Sequence, residues 1–193
     1  VDAAWVSSFM QVTYLLPGVI YIAAAVFLHG LLKDGILTWT PSYLQENFGF
    51  PAAISVALTL IVPVVNLSGV YLAGAVQTKW LRNEASTALI FFALCGAGAG
   101  LWWLAGRSSL PVTLAMLLVS TTCMTSVSTM LLSLLPLRYR SLRLTATLTG
   151  LLNAATYLGS AVSGAGFGAL SEAGGWGAVL AVWCVLSLAG AGA

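Results

Sequence analysis

Three ionisable residues lie close together in a long apolar stretch: His29, Lys33 and Asp34. His29 and Lys33 are four residues apart and share one face of a helix, whereas Asp34 points about 100° away. An ionisable group at membrane depth costs about 2.5–3.5 kcal/mol on insertion scales, so such groups usually face a water-filled cavity or a partner. We therefore expect partners on neighbouring helices or in a cavity. The alternative is that Lys33 extends to the outer interface, while Asp34 caps a helix break at Gly35.

Fewer polar side chains stand out in the rest of the chain. Asn66 lies within the second apolar run, and Asn153 and Tyr157 lie within the fifth. Residues 120–129 are rich in serine and threonine, whose hydroxyls often bond to carbonyls of their own helix in lipid, so we interpret most of them as structural. The aromatic side chains of Trp39 and Tyr43 are more typical of an outer interfacial belt than of a ligand site.

Signatures of catalysis and of metal binding are missing from the sequence. It has no His-Glu-x-x-His, Gly-x-Ser-x-Gly, Walker A or Cys-x-x-Cys motif, and one histidine cannot assemble a metal site unaided. Its three cysteines, Cys95, Cys123 and Cys184, are widely spaced within apolar runs, which predicts packing rather than disulfides or metal ligation. The sequence therefore predicts neither an enzyme nor a cofactor or metal.

Composition decides the class of protein. Of the 193 residues, 60% are apolar and 6% are charged, whereas soluble domains carry about 25% charged residues. The mean hydropathy is +0.99, and the net charge of +2 comes from single charges scattered through the connections. These values exclude a soluble enzyme, a nucleic-acid-binding module and a disordered tail. They indicate an integral membrane protein whose partner is the lipid bilayer.

Polar and turn-forming clusters divide the chain into six apolar runs. Each run is about as long as the 20 residues that cross a bilayer as a helix, and the runs are too continuous for the strands of a membrane barrel. The chain begins without Met and ends within an apolar run, so we expect a fragment. We predict an all-α polytopic membrane protein with six transmembrane helices over about 12–44, 53–76, 86–105, 110–135, 144–170 and 176–193.

Basic residues in the connections predict the orientation. The second-to-third and fourth-to-fifth connections hold five of them, and the opposite connections hold only Arg107. By the positive-inside rule, the two basic connections and both termini are cytoplasmic, in a multi-pass protein of the cell membrane. The five basic residues are Lys79, Arg82, Arg138, Arg140 and Arg143.

Small residues and one proline predict details of packing. Gly159, Gly164 and Gly168 in the fifth run, the last two as Gly-x-x-x-Gly, are spaced for close helix contact, as are three glycines in residues 96–100. Pro63 is expected to kink the second helix.

Two segments are similar to a known family of transporters. Residues 30–44 (GLLKDGILTWTPSYL) resemble helix seven of the major facilitator superfamily, most closely the organophosphate:phosphate antiporter branch. Residues 149–159 (TGLLNAATYLG), continuing to Trp176, resemble helix eleven and the turn into helix twelve. The likeness implies that the chain is the C-terminal six-helix half of a twelve-helix fold. Residues 73–79 depart from the family's gating pattern because they lack its acid.

The resemblance implies secondary active transport by alternating access. The N-terminal six-helix half of the same polypeptide would be the partner, and a small anionic or phosphorylated solute would bind between the halves, with or without a coupling ion. Lys33 falls where the branch has a phosphate-binding arginine, beside Asp34, with His29, Asn66, Asn153 and Tyr157 as expected cavity neighbours. The alternative function is a non-transporting scaffold or a channel-like bundle, in which Lys33 and Asp34 only hold helices together.

Overall fold

The computed structural model describes residues 3–105, 109–142 and 144–192. These residues are helical apart from short connections and contain no strand, so the predicted all-α class is confirmed. Arg107 and Arg143, which entered the orientation prediction, lie outside the described residues. Six α-helices follow one another: α1 Ala3–Phe48, α2 Ala52–Thr59, α3 Ile61–Val76, α4 Glu84–Ala105, α5 Leu110–Ser128 and α6 Thr145–Gly192.

Two of these helices continue in a different helical form. A π-helical turn over Gln77–Leu81 extends α3, and a π-helical turn over Thr129–Leu134 followed by 3-10 turns over Leu135–Leu142 extends α5. With these extensions, the described residues form five helical segments long and apolar enough to cross a membrane: Gly18–Phe48, Ala52–Leu81, Glu84–Ala105, Leu110–Arg140 and Thr145–Gly192.

The last of these segments turns back on itself at Gly175. This glycine has φ 67° and ψ 177°, which a residue with a Cβ rarely adopts, and it separates a first arm (residues 145–174) from a second arm (residues 176–192). Phe167 and Trp183 would be about 24 Å apart along a straight helix. Their ring centroids are instead 5.8 Å apart, so the two arms of α6 pack against each other as a hairpin.

The interruption between α2 and α3 has its cause in Pro63. A proline has no N–H to donate to the carbonyl four residues earlier, and its ring collides with that carbonyl, which here belongs to Thr59. The chain leaves the α-helical pattern at Leu60, whose N–H donates to Ala57 O at 3.1 Å. The helix is therefore interrupted where Pro63 was expected to disturb it.

Glycines let the backbone of α1 touch the backbone of the first arm of α6. A Cβ on Gly30 would lie 2.1 Å from the carbonyl oxygen of Thr156, and one on Gly159 would lie 2.1 Å from that of Phe27. No side chain fits at either position. The predicted role of Gly159 is confirmed, whereas a Cβ on Gly164 would meet no atom of the described residues within 4 Å, so Gly164 makes no close helix contact among them.

The aromatic side chains after Lys33 lie inside the bundle. The indole N–H of Trp39 donates to Ser163 O at 3.2 Å, and the ring covers Gly168. Tyr43 is fully buried, with its ring 5.5 Å from those of both Trp102 and Trp176. The predicted interfacial belt is wrong for Tyr43, because its neighbours on α4 and α6 enclose it.

Candidate functional site

His29 anchors the middle of α1 to α5. It is fully buried, and its Nε2 lies 3.0 Å from the carbonyl oxygen of Met124. Because a carbonyl oxygen only accepts hydrogen bonds, Nε2 carries the proton and donates. The other ring nitrogen, Nδ1, is buried without a hydrogen-bond partner among the described residues. His29 therefore fixes this turn of α1 beside α5 and keeps one unused acceptor.

Lys33 lies one turn beyond His29 on the same face of α1. Its side chain is half-buried, and it forms no hydrogen bond or ion pair with any residue that the structure describes. A cation in this position is free to contact an anion from outside the chain.

Asp34 is held by the first arm of α6. The hydroxyl of Ser160 donates to Asp34 Oδ2 and also lies 3.2 Å from the carbonyl oxygen of Thr156. The carboxylate therefore has a partner across the interface between α1 and α6, one residue further round the helix than Lys33. The alternative prediction of a helix break at Gly35 is wrong, because α1 continues without interruption to Phe48 and Gly35 packs against the Phe167 ring.

Asn66 joins α3 to α5. Its Oδ1 accepts a hydrogen bond from Thr122 Oγ1 at 3.2 Å, and one turn further along Ser126 Oγ donates to Gly69 O at 2.8 Å. A Cβ on Gly69 would lie 2.6 Å from the carbonyl oxygen of Thr122, so the two backbones are close. Both α1 and α3 are thus attached to α5 by polar contacts.

The two expected site residues on the first arm of α6 make no contact with this group in the described residues. Asn153 is half-buried and donates from Nδ2 to Thr149 O of its own helix at 2.9 Å. Tyr157 is 70% exposed. The structure therefore joins His29 to α5, Asp34 to α6 and Asn66 to α5. It leaves Asn153 bonded within its own helix and Tyr157 exposed.

Sequence reasoning missed Ser160 and Thr122, the hydroxyl partners of Asp34 and Asn66. Each lies more than 50 positions from its partner, and a serine or threonine in an apolar helix gives no local sign of which helix it faces. Most hydroxyls of residues 120–129 do bond to their own helix, as predicted: those of Thr121, Thr125 and Thr129 donate to carbonyls four residues earlier.

A second polar cluster joins the two basic connections. Glu84 is buried at the start of α4, its Oε2 lies 2.5 Å from Arg138 Nη2, and its Oε1 accepts a hydrogen bond from Gln77 Nε2 at 3.3 Å. Arg138 also reaches the carbonyl oxygen of Arg82 at 3.5 Å. Glu84 thus links the extension of α3 to the 3-10 turns that follow α5.

The described residues contain no group of three His, Cys, Asp or Glu side chains that could hold a metal ion. Comparison with known proteins adds no relative. No protein-family model matches the chain, and no curated protein is significantly similar to it. On α1 the described residues thus place a half-buried cation, Lys33, directly before a carboxylate that a hydroxyl of α6 holds in place.

Proposed function

We propose that this chain is half of a secondary active transporter and that Lys33 contributes a cationic contact to an anionic solute. The observation that carries the proposal is that two adjacent charged residues differ in their partners. Asp34 is engaged by Ser160, whereas Lys33 has no described counter-charge. A half-buried cation in an apolar span is costly unless water or a ligand compensates it, so its retention favours a binding role.

The proposed topology has six crossings. Four of the apolar segments cross once, and the two arms of α6 cross separately because the chain reverses at Gly175. The basic connections fit this arrangement, since the contact between Arg138 and Arg82 O puts both at the same end of the bundle. With the positive-inside rule, that end and both ends of the chain are cytoplasmic.

The missing half is proposed to be six further helices of the same polypeptide, as the resemblance to the major facilitator superfamily implies. Apolar side chains on α3 and on the first arm of α6 are well exposed, including Leu67, Tyr71 and Leu158. Such faces suit contact with lipid tails and with a second helical bundle. Alternating access then consists of the two halves rocking about a site near the bilayer midplane.

The proposed solute carries a negative charge, of which a phosphate ester is the type that the resemblance implies. A lysine binds phosphate as a point charge through three rotatable donors, without the paired geometry of a guanidinium. Because Ser160 donates to Asp34, part of the carboxylate's charge is compensated, which weakens its repulsion of an anion beside Lys33. His29 fixes the turn of α1 that precedes Lys33, and Asn66 supplies a polar side chain on α3.

A scaffold is the second candidate, and a specific observation favours it. The Asp34–Ser160 hydrogen bond and the glycine contacts at Gly30 and Gly159 lock α1 to α6, which a purely structural bundle would also need. The two functions differ in whether a solute crosses the membrane.

Counterflow exchange tests the proposal. The full-length protein is reconstituted in liposomes loaded with inorganic phosphate, and uptake of labelled glycerol phosphate, labelled phosphate and a neutral sugar is followed. Transport predicts uptake of an anion that depends on anion inside, with the sugar excluded. Absence of exchange for every anion tested, by folded protein in sealed liposomes, contradicts the transporter and leaves the scaffold. Uptake that runs down an imposed gradient without counter-anion favours a channel.

A further inference from the structure

The basic end of the bundle carries more positive charge than its own acid can neutralise. Lys79, Arg82 and Arg140 are exposed and form no ion pair with a described residue, while Glu84, the one carboxylate in these connections, is already paired with Arg138. The contact of Arg138 with Arg82 O holds the two connections together, so the cations of both connections lie at the same end of the bundle.

An interfacial aromatic residue stands among these cations. Trp80 is 81% exposed, in the π-helical turn between Lys79 and Arg82. Indole rings of this kind prefer the headgroup level of a bilayer, where one part of the ring contacts acyl chains and its N–H meets water or lipid. Arg82 has a left-handed backbone (φ 51°), which ends the turn and leads the chain directly into α4.

An apolar cavity opens at this end of the bundle. It has a volume of about 260 Å³ and lies between α1, α4 and the second arm of α6. Ala85 and Ser86 belong to its wall and directly follow Glu84, so the ion pair between Glu84 and Arg138 lies beside the cavity. Small residues keep the space free, since a Cβ on Gly190 would already touch the Phe92 ring. Further lining residues are Ile22, Ala25, Phe92, Leu131 and Ala191.

We infer that this end of the bundle binds one anionic phospholipid of the membrane leaflet, with its phosphate at Lys79, Arg82 and Arg140 and an acyl chain in the cavity. Charge complementarity identifies the headgroup, because four cations stand against a single carboxylate. The apolar wall of the cavity indicates that an acyl chain fills it. A zwitterionic lipid gains less, since its ammonium group meets the same cations. The site lies apart from Lys33 and does not require transport.

Native mass spectrometry of the intact protein tests the site. The protein is released from nanodiscs that contain equal amounts of phosphatidylglycerol and phosphatidylcholine with identical chains, and retained lipid is counted. We expect phosphatidylglycerol to be retained at least about fivefold more, because each nearby cation contributes about that factor. Equal retention of the two lipids overturns the inference.

Charge variants locate the headgroup. Lys79→Gln combined with Arg82→Asn and Arg140→Gln should abolish the preference, and asparagine is chosen because it tolerates the left-handed backbone. Lys79→Gln alone should lower the preference about fivefold. The pair Lys79→Gln with Glu172→Gln keeps the net charge of the wild type, and Glu172 is exposed beside the other end of the bundle. Binding as in the wild type by that pair would mean that net charge alone attracts the lipid.

Two further experiments test the acyl-chain site and distinguish a bound lipid from a soluble phosphate. Ala191→Leu fills the cavity and should reduce the retention of both lipids while leaving their ratio unchanged. Undiminished retention would mean that the acyl chain does not lie in this cavity. Glycerol phosphate at millimolar concentration supplies the headgroup charge without a chain and should not displace the lipid. Displacement would identify a site for soluble phosphate and overturn the inference that the site binds a phospholipid. Unchanged thermal unfolding of each variant shows that these differences come from binding.

Discussion

Ser160 of α6 donates its hydroxyl hydrogen to the carboxylate of Asp34 on α1, across an interface where glycines bring the two backbones together. The same hydroxyl lies 3.5 Å from Gly30 O, at the point where Gly30 meets Thr156. One small polar residue thus provides a hydrogen-bond donor for the acid in the middle of the apolar span on α1. Lys33, the adjacent charge, is left available.

Removing the Ser160 hydroxyl should destabilise this interface. Hydrogen bonds between membrane helices average about 0.6 kcal/mol and reach about 1.7 kcal/mol, and we expect Ser160→Ala to lie toward the upper end because the acceptor is a carboxylate. Thermal unfolding in detergent measures the change. Ser171→Ala is the control, since Ser171 bonds to Gly168 O of its own helix at 2.8 Å. Equal effects of the two substitutions would contradict a special role for Ser160.

The glycine contacts predict that adding a side chain destabilises the protein strongly at some glycines and not at others. Gly30→Ala places a Cβ against a backbone oxygen that cannot move aside, so α1 must separate from α6 at a cost of about 1–3 kcal/mol or more. Gly164→Ala meets open space and should be neutral or stabilise the helix by up to about 1 kcal/mol. The melting temperature should therefore fall for Gly30→Ala and stay unchanged or rise for Gly164→Ala. A wild-type melting temperature for Gly30→Ala would show that the helices are not packed this closely.

The ion pair between Glu84 and Arg138 should couple the two basic connections. Arg138 is about half exposed (48%), so we expect a coupling energy of only about 1 kcal/mol. A double-mutant cycle with Glu84→Gln and Arg138→Gln isolates it. The matched cycle replaces Glu84→Gln by Glu172→Gln and should give no coupling. A vanishing coupling in the first cycle contradicts the contact.

The reversal at Gly175 predicts which side of the membrane each loop faces. Glu172→Cys, just before the turn, should react with a membrane-impermeant maleimide from the side opposite to Thr78→Cys, which lies at the basic end. The wild type serves as the background, because Cys95 and Cys123 are buried and Cys184 is half-buried. Labelling of both positions from one side would mean that the arms of α6 do not each cross the membrane.

Most of the helical architecture could be predicted because apolar runs of membrane length and their polar interruptions are local features. Pro63 and the turn before Trp176 are also local, and their effects lie near the expected positions. The partners of Asp34 and Glu84 could not be predicted, since each comes from a helix more than 50 positions away. Tyr43 was misplaced for the same reason: an aromatic residue near a predicted span end can face the interface or the interior.

The most direct test of the account is the solute affinity of the Lys33 variants in counterflow exchange. If the ammonium group holds the anion, Lys33→Gln should raise the KM for the transported anion about tenfold to a hundredfold, the value of one charged hydrogen bond, while Lys33→Arg keeps most of the affinity. The alanine variant should behave like the glutamine variant. An unchanged KM and rate for Lys33→Gln and Lys33→Ala, at normal protein levels, would remove Lys33 from the binding site and contradict the central claim.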